Sequence, residues 1–200
     1  CGLFQGIKAL RLRNWDEPPV RPRDLDAIVL THAHIDHSGY LPLMVRRGFD
    51  GPIYCTSATA DLLRILLPDS AWLQEEDARR ANKYGYSKHQ PAVPLYDRDD
   101  VRQTLPMIVE VPPQGEVQIG SMRVKMTPVG HILGAAALTI HTRSGTIGFS
   151  GDVGRGDDAL MLPPQTLEPV DWLVLESTYG NRLHSVNSVE EQLAAAVNPV

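Results

Sequence analysis

The feature that most constrains this chain is a cluster of three histidines and one aspartate within six residues, His32, His34, Asp36 and His37. The cluster directly follows the apolar run at residues 25–30 (LDAIVL), which has the composition of a buried strand. Burying such side chains at a strand end is costly unless something pairs with them. Imidazole and carboxylate are ligands of zinc and related divalent ions. Because four ligands this close cannot all bind one tetrahedral ion without distortion, the spacing favours two neighbouring ions.

Two later segments carry residues that suit the same site. His131 lies between Gly130 and Gly134 in one segment, and Asp152 lies in the other (FSGDVG), each where a strand is predicted to end. A histidine or aspartate flanked by glycines is by itself ordinary turn chemistry. A site for two ions needs a bridging carboxylate and further ligands, so the first cluster makes both residues candidate ligands.

The order of the predicted elements indicates sheets packed inside helices, an α/β (α+β) layered fold. In the first half, predicted strands at residues 25–30 and 53–55 alternate with predicted helices at 40–47, 57–84 and 97–105. Pro68 and Asp69 are predicted to interrupt the long helix, because proline lacks the N–H that a helix interior needs.

The second half is predicted to consist mostly of strands. From Met107 onward apolar residues alternate with a period of two, which is typical of antiparallel strands joined by hairpins. The apolar run at residues 171–175 (DWLVL) predicts a further, buried strand. Ser188 and Glu191 fit a capping box, which predicts one more helix near the end of the sequence.

Composition excludes several classes of protein. The 200 residues are 42% hydrophobic and 22% charged, the mix of a folded globular protein rather than a disordered one. The net charge of −5 argues against a broad basic surface for nucleic acid. The acidic excess lies in residues 151–200, which hold eight acidic and two basic side chains.

The compartment is predicted from what the sequence does not contain. No apolar run is long enough to span a bilayer and no secretory signal opens the chain, so we expect a cytoplasmic location and no membrane partner. Cys1 and Cys55 form no CxxC pair and are expected to be reduced thiols. Since the sequence begins with Cys and its last residues still follow a helical pattern, we expect a fragment of a longer chain.

Five segments together resemble a known family: CGLFQG at residues 1–6, THAHIDHSG at 31–39, VGHILGA at 129–135, FSGDVG at 149–154 and LESTYGNR at 175–182. THAHIDHSG is similar to the HxHxDH motif of the metallo-β-lactamase superfamily, and VGHILGA and FSGDVG to its later histidine and bridging-aspartate motifs. ESTYG resembles the first motif of the β-CASP nucleases, which include ribonuclease J and the mRNA 3′-end-processing endonuclease. CGLFQG also resembles that branch.

The resemblance covers essentially the whole chain and implies a fold and a domain division. The fold implied is the metallo-β-lactamase αββα sandwich, incomplete at both ends. Residues 1–176 would be the N-terminal part of the hydrolase domain, with its first strands missing. Residues 177–200 would be the truncated start of the inserted β-CASP domain.

The resemblance also implies six metal ligands, which are His32, His34, Asp36, His37, His131 and Asp152. One zinc would be held by the first two of these histidines together with His131. The second would be held by Asp36 and His37, and a further histidine of the family lies in a segment beyond these residues. The cofactors expected are therefore two Zn²⁺ ions, with Mn²⁺ as the alternative because sites of this composition accept both.

The catalytic residues implied by the resemblance are Asp36, Asp152 and Glu176. Asp152 would bridge the two ions, and a hydroxide shared by them would attack a phosphodiester phosphorus in line. Asp36 would orient that hydroxide as well as bind metal. Glu176 is not a ligand in the family, where it orients a downstream histidine that protonates the leaving oxygen. A carboxylate that caps the turn at Ser177 is the structural alternative for Glu176.

Two residues near the ESTYG segment are candidates for binding substrate. Arg182 suits an RNA phosphate, which arginine binds in a bidentate manner, and a surface ion pair is an equal alternative. His184 lies close enough in sequence to approach a phosphate, and the alternative is a solvated loop histidine.

The function predicted from these motifs is a metal-dependent phosphodiester hydrolase, an RNA endonuclease or exonuclease of RNA processing or decay. Its partner would be RNA, with single-stranded DNA as the alternative substrate, and a homo-oligomer or a processing complex is left open. We expect the fragment to be inactive alone. One alternative function is a hydrolase of a small thioester, lactone or lactam on the same fold. The other is a non-catalytic RNA-processing subunit, against which the intact set of ligands argues.

Overall fold

The first half of the chain builds a parallel sheet covered by helices in the computed structural model, which describes residues 1–183 and 189–198. The sheet has the order β1 (Ile28–Val29), β2 (Ile53–Thr56) and β3 (Ile108–Val111). The helices of this half are α1 (Lys8–Leu12), α2 (Ile35–Ser38), α3 (Leu41–Arg46), α4 (Ser57–Tyr84) and α5 (Arg98–Thr104). Asp97, the first residue of the helix predicted at 97–105, is the N-cap of α5 and forms a capping box with Asp100.

The long helix α4 is continuous, so the predicted interruption at Pro68 and Asp69 is wrong. Pro68 lies inside the helix, where it removes one backbone hydrogen bond. Leu63, Leu67 and Ala71 lie on both sides of the proline and are all fully buried. Because tertiary packing supplies most of the stability of a protein helix, this buried face holds α4 together across the proline.

The second half builds a five-stranded sheet. Its strands are β4 (Glu116–Ile119), β5 (Met122–Pro128), β6 (Ala136–Thr142), β7 (Gly145–Phe149) and β8 (Trp172–Val174), and the helix α6 (Val189–Val197) follows. The strands β4 to β7 pair antiparallel, as predicted, whereas β8 pairs parallel with β7. The strand β3 was predicted in the same antiparallel run, and this is wrong, because β3 pairs parallel with β2. The long helical crossover through α4 and α5 is what returns the chain in the parallel direction.

Two hydrophobic cores define the layers. One core lies between the helices and the first sheet and includes the fully buried Leu41, Ile53 and Leu63. The other lies between the two sheets and includes Val124 and Met126. Helices therefore pack on one sheet and that sheet packs on the next, which confirms the layered fold expected from the sequence.

The strand β8 forms where the sequence predicts it, but the prediction that it is buried is wrong. Trp172 is 57% exposed and Val174 is 55% exposed. The strand lies at the edge of its sheet and pairs only with β7. No described residue covers its other side closely enough to bury these side chains, so its apolar composition does not produce burial here.

The cysteines and the last helix complete the description of the fold. Cys1 and Cys55 are both free thiols. The helix α6 lies where a helix was predicted, but Ser188 of the predicted capping box lies outside the described residues. Within the described residues, no helix has both the length and the apolar character needed to cross a membrane.

Candidate metal centre

The candidate ligands lie on the connections that follow β1, β5 and β7. The strand predicted at residues 25–30 is reduced to Ile28–Val29, so His32 and His34 lie in the turn before α2 rather than along a strand. His34 is the residue that precedes the first turn of α2, and Asp36 and His37 lie within that helix. A short helix turn and the residues before it therefore gather the cluster.

The turn that carries the cluster is held by backbone contacts on both sides. The buried Ser38 hydroxyl donates to the carbonyl of Ala33 at 2.8 Å and lies 3.0 Å from that of His34. On the other side, a Cβ added to Gly2 would lie 1.5 Å from the carbonyl oxygen of Asp36, so only glycine fits there. The CGLFQG segment at residues 1–6 thus packs directly against the turn that carries Asp36 and His37.

Three histidines and one aspartate converge on one point. His34 Nδ1 lies 3.1 Å from His32 Nε2 and 3.2 Å from His131 Nε2. Asp152 Oδ2 lies 3.4 Å from His131 Nε2 and 3.7 Å from His32 Nε2. Ligands with bonds of about 2.0–2.1 Å in a tetrahedral site lie roughly 3.3 Å apart. The four groups, whose ligand atoms all lie within 4.8 Å of one another, therefore fit one zinc-like ion.

The second candidate pair lies on the other oxygen of the same carboxylate. Asp152 Oδ1 lies 3.2 Å from His37 Nε2, and His37 Nε2 lies 3.7 Å from Asp36 Oδ2. Asp36 and His37 do not belong to the group of four around the first point. The structure thus brings all six predicted ligands together in two groups that share Asp152.

Burial and the neighbouring imidazoles keep His32 neutral. The side chain of His32 is fully buried, and burial together with the charges of His37, His34 and His131 lowers its pKa to about 3. Its Nδ1 lies 3.1 Å from the hydroxyl of Thr31. A tautomer with the proton on Nδ1 donates to this hydroxyl and leaves the Nε2 lone pair facing the group.

Glu176 lies beside the loop of Asp152 and not among the ligands. Its carboxylate accepts a hydrogen bond from the backbone N–H of Val153, the residue after Asp152. Its own N–H donates to the hydroxyl of Ser150 at 3.0 Å, and that hydroxyl donates to the carbonyl of Gly151 at 2.7 Å. Glu176 therefore contacts the loop at two points, one on each side of the aspartate.

Of the two predicted substrate residues, Arg182 lies within the described part of the chain. The guanidinium of Arg182 lies 5.9 Å from the ring centroid of Tyr179, and its backbone N–H donates to the Tyr179 carbonyl at 2.9 Å. His184 lies outside the described residues.

Sequence reasoning missed the hydroxyls that orient the ligands. Thr31 contacts His32, Ser38 holds the turn of the cluster, and Ser150 holds the loop of Asp152. Each hydroxyl lies within two positions of a candidate ligand in the sequence, and that proximity was the available signal.

The match to a family model supports the same conclusion as the geometry. The model described as "Beta-lactamase superfamily domain" matches residues 2–198. The chain belongs to this superfamily. The superfamily resemblance drawn from the sequence motifs is thereby confirmed, and the names of the relatives that follow agree with the nuclease branch.

A ribonuclease and two termination factors are similar to most of this chain. Ribonuclease TTHA0252 of Thermus thermophilus is 32% identical over 185 residues, which are 92% of this chain and 38% of that protein. Transcription termination factor FttA of Methanocaldococcus jannaschii is 30% identical over 90% of this chain and 27% of its own length. FttA of Pyrococcus abyssi is 36% identical over 78% of this chain and 23% of its own length. The chain thus spans well under half of each of these relatives.

Proposed function

We propose that the chain carries the metal-dependent hydrolytic centre of an RNA nuclease. The observation that carries the proposal is the carboxylate of Asp152, which turns one oxygen toward each of two histidine-containing groups. A relative named a ribonuclease and relatives named transcription termination factors support RNA as the substrate. A cytoplasmic location belongs to the same proposal.

The ions proposed are two divalent cations, zinc or manganese. His32, His34, His131 and Asp152 would hold the first, because their separations fit a tetrahedral ion. Asp36, His37 and the other oxygen of Asp152 would hold the second. Bound there, such ions supply Lewis-acid chemistry, in which they polarise a phosphoryl oxygen and lower the pKa of water.

The acidic side chains would position a water molecule and the ligand groups at this centre. Asp36 has a side chain that is 49% exposed, so its carboxylate is open to a water molecule on the solvent side of the cluster. There it can accept a hydrogen bond from the attacking water and align it with a phosphorus atom. Asp152 is 25% exposed and holds the two groups at a fixed separation. Glu176 would steady the Asp152 loop and orient a histidine supplied from further along the family's chain.

The proposal also covers the residues that contact the substrate and the activity of the isolated chain. Arg182 would contact a phosphate of the RNA, and His184 would approach it from the same segment. Because the chain covers 38% of the ribonuclease it resembles, we propose that it binds metal weakly and does not turn over RNA on its own. A homo-oligomer or a processing complex stays a prediction.

The test combines metal content with cleavage. Zinc bound per chain is measured by mass spectrometry after dialysis, and cleavage of labelled single-stranded RNA is measured on the polypeptide as its gene encodes it. We expect up to two ions per chain, and RNA cleavage that a chelator abolishes. Hydrolysis of a thioester or lactone with no RNA cleavage would favour the small-molecule alternative. RNA binding without metal or hydrolysis would favour the non-catalytic subunit.

A further inference from the structure

Two threonine hydroxyls of the first half of the chain reach the loop that carries His131. Thr56 Oγ1 lies 2.6 Å from the carbonyl oxygen of Gly134, and Thr59 Oγ1 lies 3.1 Å from the same oxygen. Thr56 is 4% exposed and Thr59 is 0% exposed, so both hydroxyls need partners within the protein. A carbonyl oxygen has two lone pairs and can accept both hydrogen bonds.

The start of α4 fits closely against Gly134. Thr56 is the N-cap of this helix, and its side chain also accepts from the backbone N–H of Thr59 at 3.4 Å. Gly134 has φ +80°, and a Cβ at this position would lie 2.4 Å from the backbone nitrogen of Thr59. Only glycine fits both the backbone angle and the space. The carbonyl of Gly134 is therefore fixed against the first turn of a 28-residue helix.

The loop between Gly130 and Gly134 connects the fixed carbonyl of Gly134 to His131. The backbone N–H of Ala135 donates to the carbonyl of Ile132 at 3.0 Å, which closes the turn directly after the histidine. At the other end, a Cβ on Gly130 would lie 2.1 Å from the carbonyl oxygen of Leu162. With both ends of the loop held, the imidazole has little freedom to leave the ligand group.

We propose that Thr56 and Thr59 are positioning residues for His131 and, through it, for the metal centre. The inference rests on the proposed role of His131 as a metal ligand. Hydrogen bonds to groups around a metal site orient the ligands, and their loss typically lowers metal affinity by about 10- to 100-fold. Here the hydroxyls act through a backbone carbonyl three residues from the ligand, and they tie a helix of the first half to a loop of the second.

The test is a cobalt titration of the polypeptide as its gene encodes it, because Co²⁺ in a site of this kind gives an absorption spectrum that reports its coordination. Thr59→Val removes one hydroxyl with little change in volume and leaves the cap residue Thr56 in place. We expect about tenfold weaker Co²⁺ binding and an altered spectrum for Thr59→Val. Thr59→Ser keeps the hydroxyl and should restore binding to near the unaltered value.

Thr104→Val is the matched control for loss of stability. Thr104 is also a fully buried helical threonine, but its hydroxyl donates at 2.8 Å to the carbonyl of Asp100 in its own helix. We expect Thr104→Val to lower the thermal midpoint without changing Co²⁺ affinity. A change of the same size in both valine variants would reduce Thr59 to a structural residue and overturn the proposal.

If Thr59→Val does not fold, a second variant tests the same contact. Gly134→Ala leaves both hydroxyls and the helix cap intact, but its Cβ would displace the carbonyl from α4, so the same loss of affinity is expected. Unaltered Co²⁺ binding in folded Thr59→Val or Gly134→Ala would contradict the inference. If the unaltered polypeptide binds no Co²⁺ and His131→Ala behaves identically, the proposed metal function fails and the inference fails with it.

Discussion

Asp152 and His37 meet at 3.2 Å through Oδ1 and Nε2, while the other carboxylate oxygen of Asp152 faces His131 at 3.4 Å. One side chain therefore belongs to both groups of ligands. A carboxylate with its two oxygens on different partners is the natural bridge between two cations, because each oxygen carries part of one negative charge. Removing that charge is therefore expected to weaken metal binding at both groups of ligands.

Asp152→Asn is expected to lower zinc binding at both groups, since an amide carries no charge and its nitrogen cannot act as a ligand. We expect at least a tenfold loss of affinity and, in the complete polypeptide, loss of RNA cleavage. Zinc content after dialysis checks the first effect. Asp158→Asn is the control, because Asp158 is exposed and its carboxylate accepts from the backbone N–H groups of Leu160 and Met161, both at 2.8 Å. Equal zinc content in both variants would contradict a bridging role.

Glu176→Ala is expected to loosen the loop of Asp152, because it removes the carboxylate that accepts from the Val153 N–H. A hydrogen bond to a charged group contributes about 1.5–3 kcal/mol, so amide exchange at Val153 should accelerate by about tenfold or more. Hydrogen exchange followed by NMR or mass spectrometry measures this. Exchange at Ala135, which lies in the loop after His131, serves as the internal reference. Unchanged exchange at Val153 would mean that this contact does not hold the loop.

Pro68→Ala is expected to stabilise the protein, since α4 passes through the proline without interruption. An interior proline costs a helix about 3 kcal/mol relative to alanine, and partial adaptation of the surrounding turn reduces the gain to about 1–3 kcal/mol. Urea unfolding measures the change in the free energy of unfolding. Asp69→Ala at the exposed neighbouring position should change it by only about 0.5 kcal/mol. A loss of stability in Pro68→Ala would show that the proline ring itself packs favourably.

The first cluster of candidate ligands could be predicted from the sequence because ligand chemistry depends on residue type and short spacing. His32 and His37 lie five positions apart in one segment, and both appear in the groups that the structure assembles. The convergence of His131 and Asp152 on that segment depends on which strands become neighbours, and periodicity alone does not encode it. The family resemblance supplied that information.

The errors have a common physical origin in tertiary packing. Pro68 is tolerated because buried side chains on both sides hold α4 against the sheet, and no local rule reports that packing. The strand β8 was predicted buried from composition, but Trp172 is 57% exposed because no described residue packs over it closely enough to bury it. The hydroxyl of Thr59 reaches a carbonyl 75 residues away, a distance over which a sequence pattern carries no signal.

The buried thiol of Cys55 makes stability depend on alkaline pH in a specific direction. Cys55 is fully buried, and burial, aided by the negative charge of Glu110, raises the pKa of its thiol to about 12. The unfolded chain ionises this thiol at its ordinary pKa, so the folded protein binds more protons above about pH 9. Stability from this group is complete below that pH and falls by about 1.4 kcal/mol per pH unit between about 9 and 12. Urea unfolding at pH 8, 9 and 10 in a reducing buffer measures the free energy of unfolding. It should fall more steeply with pH for the unaltered chain than for Cys55→Ala, in which the other titrating groups are unchanged. Parallel pH profiles for the two proteins would mean that Cys55 ionises as easily in the folded chain as in the unfolded one.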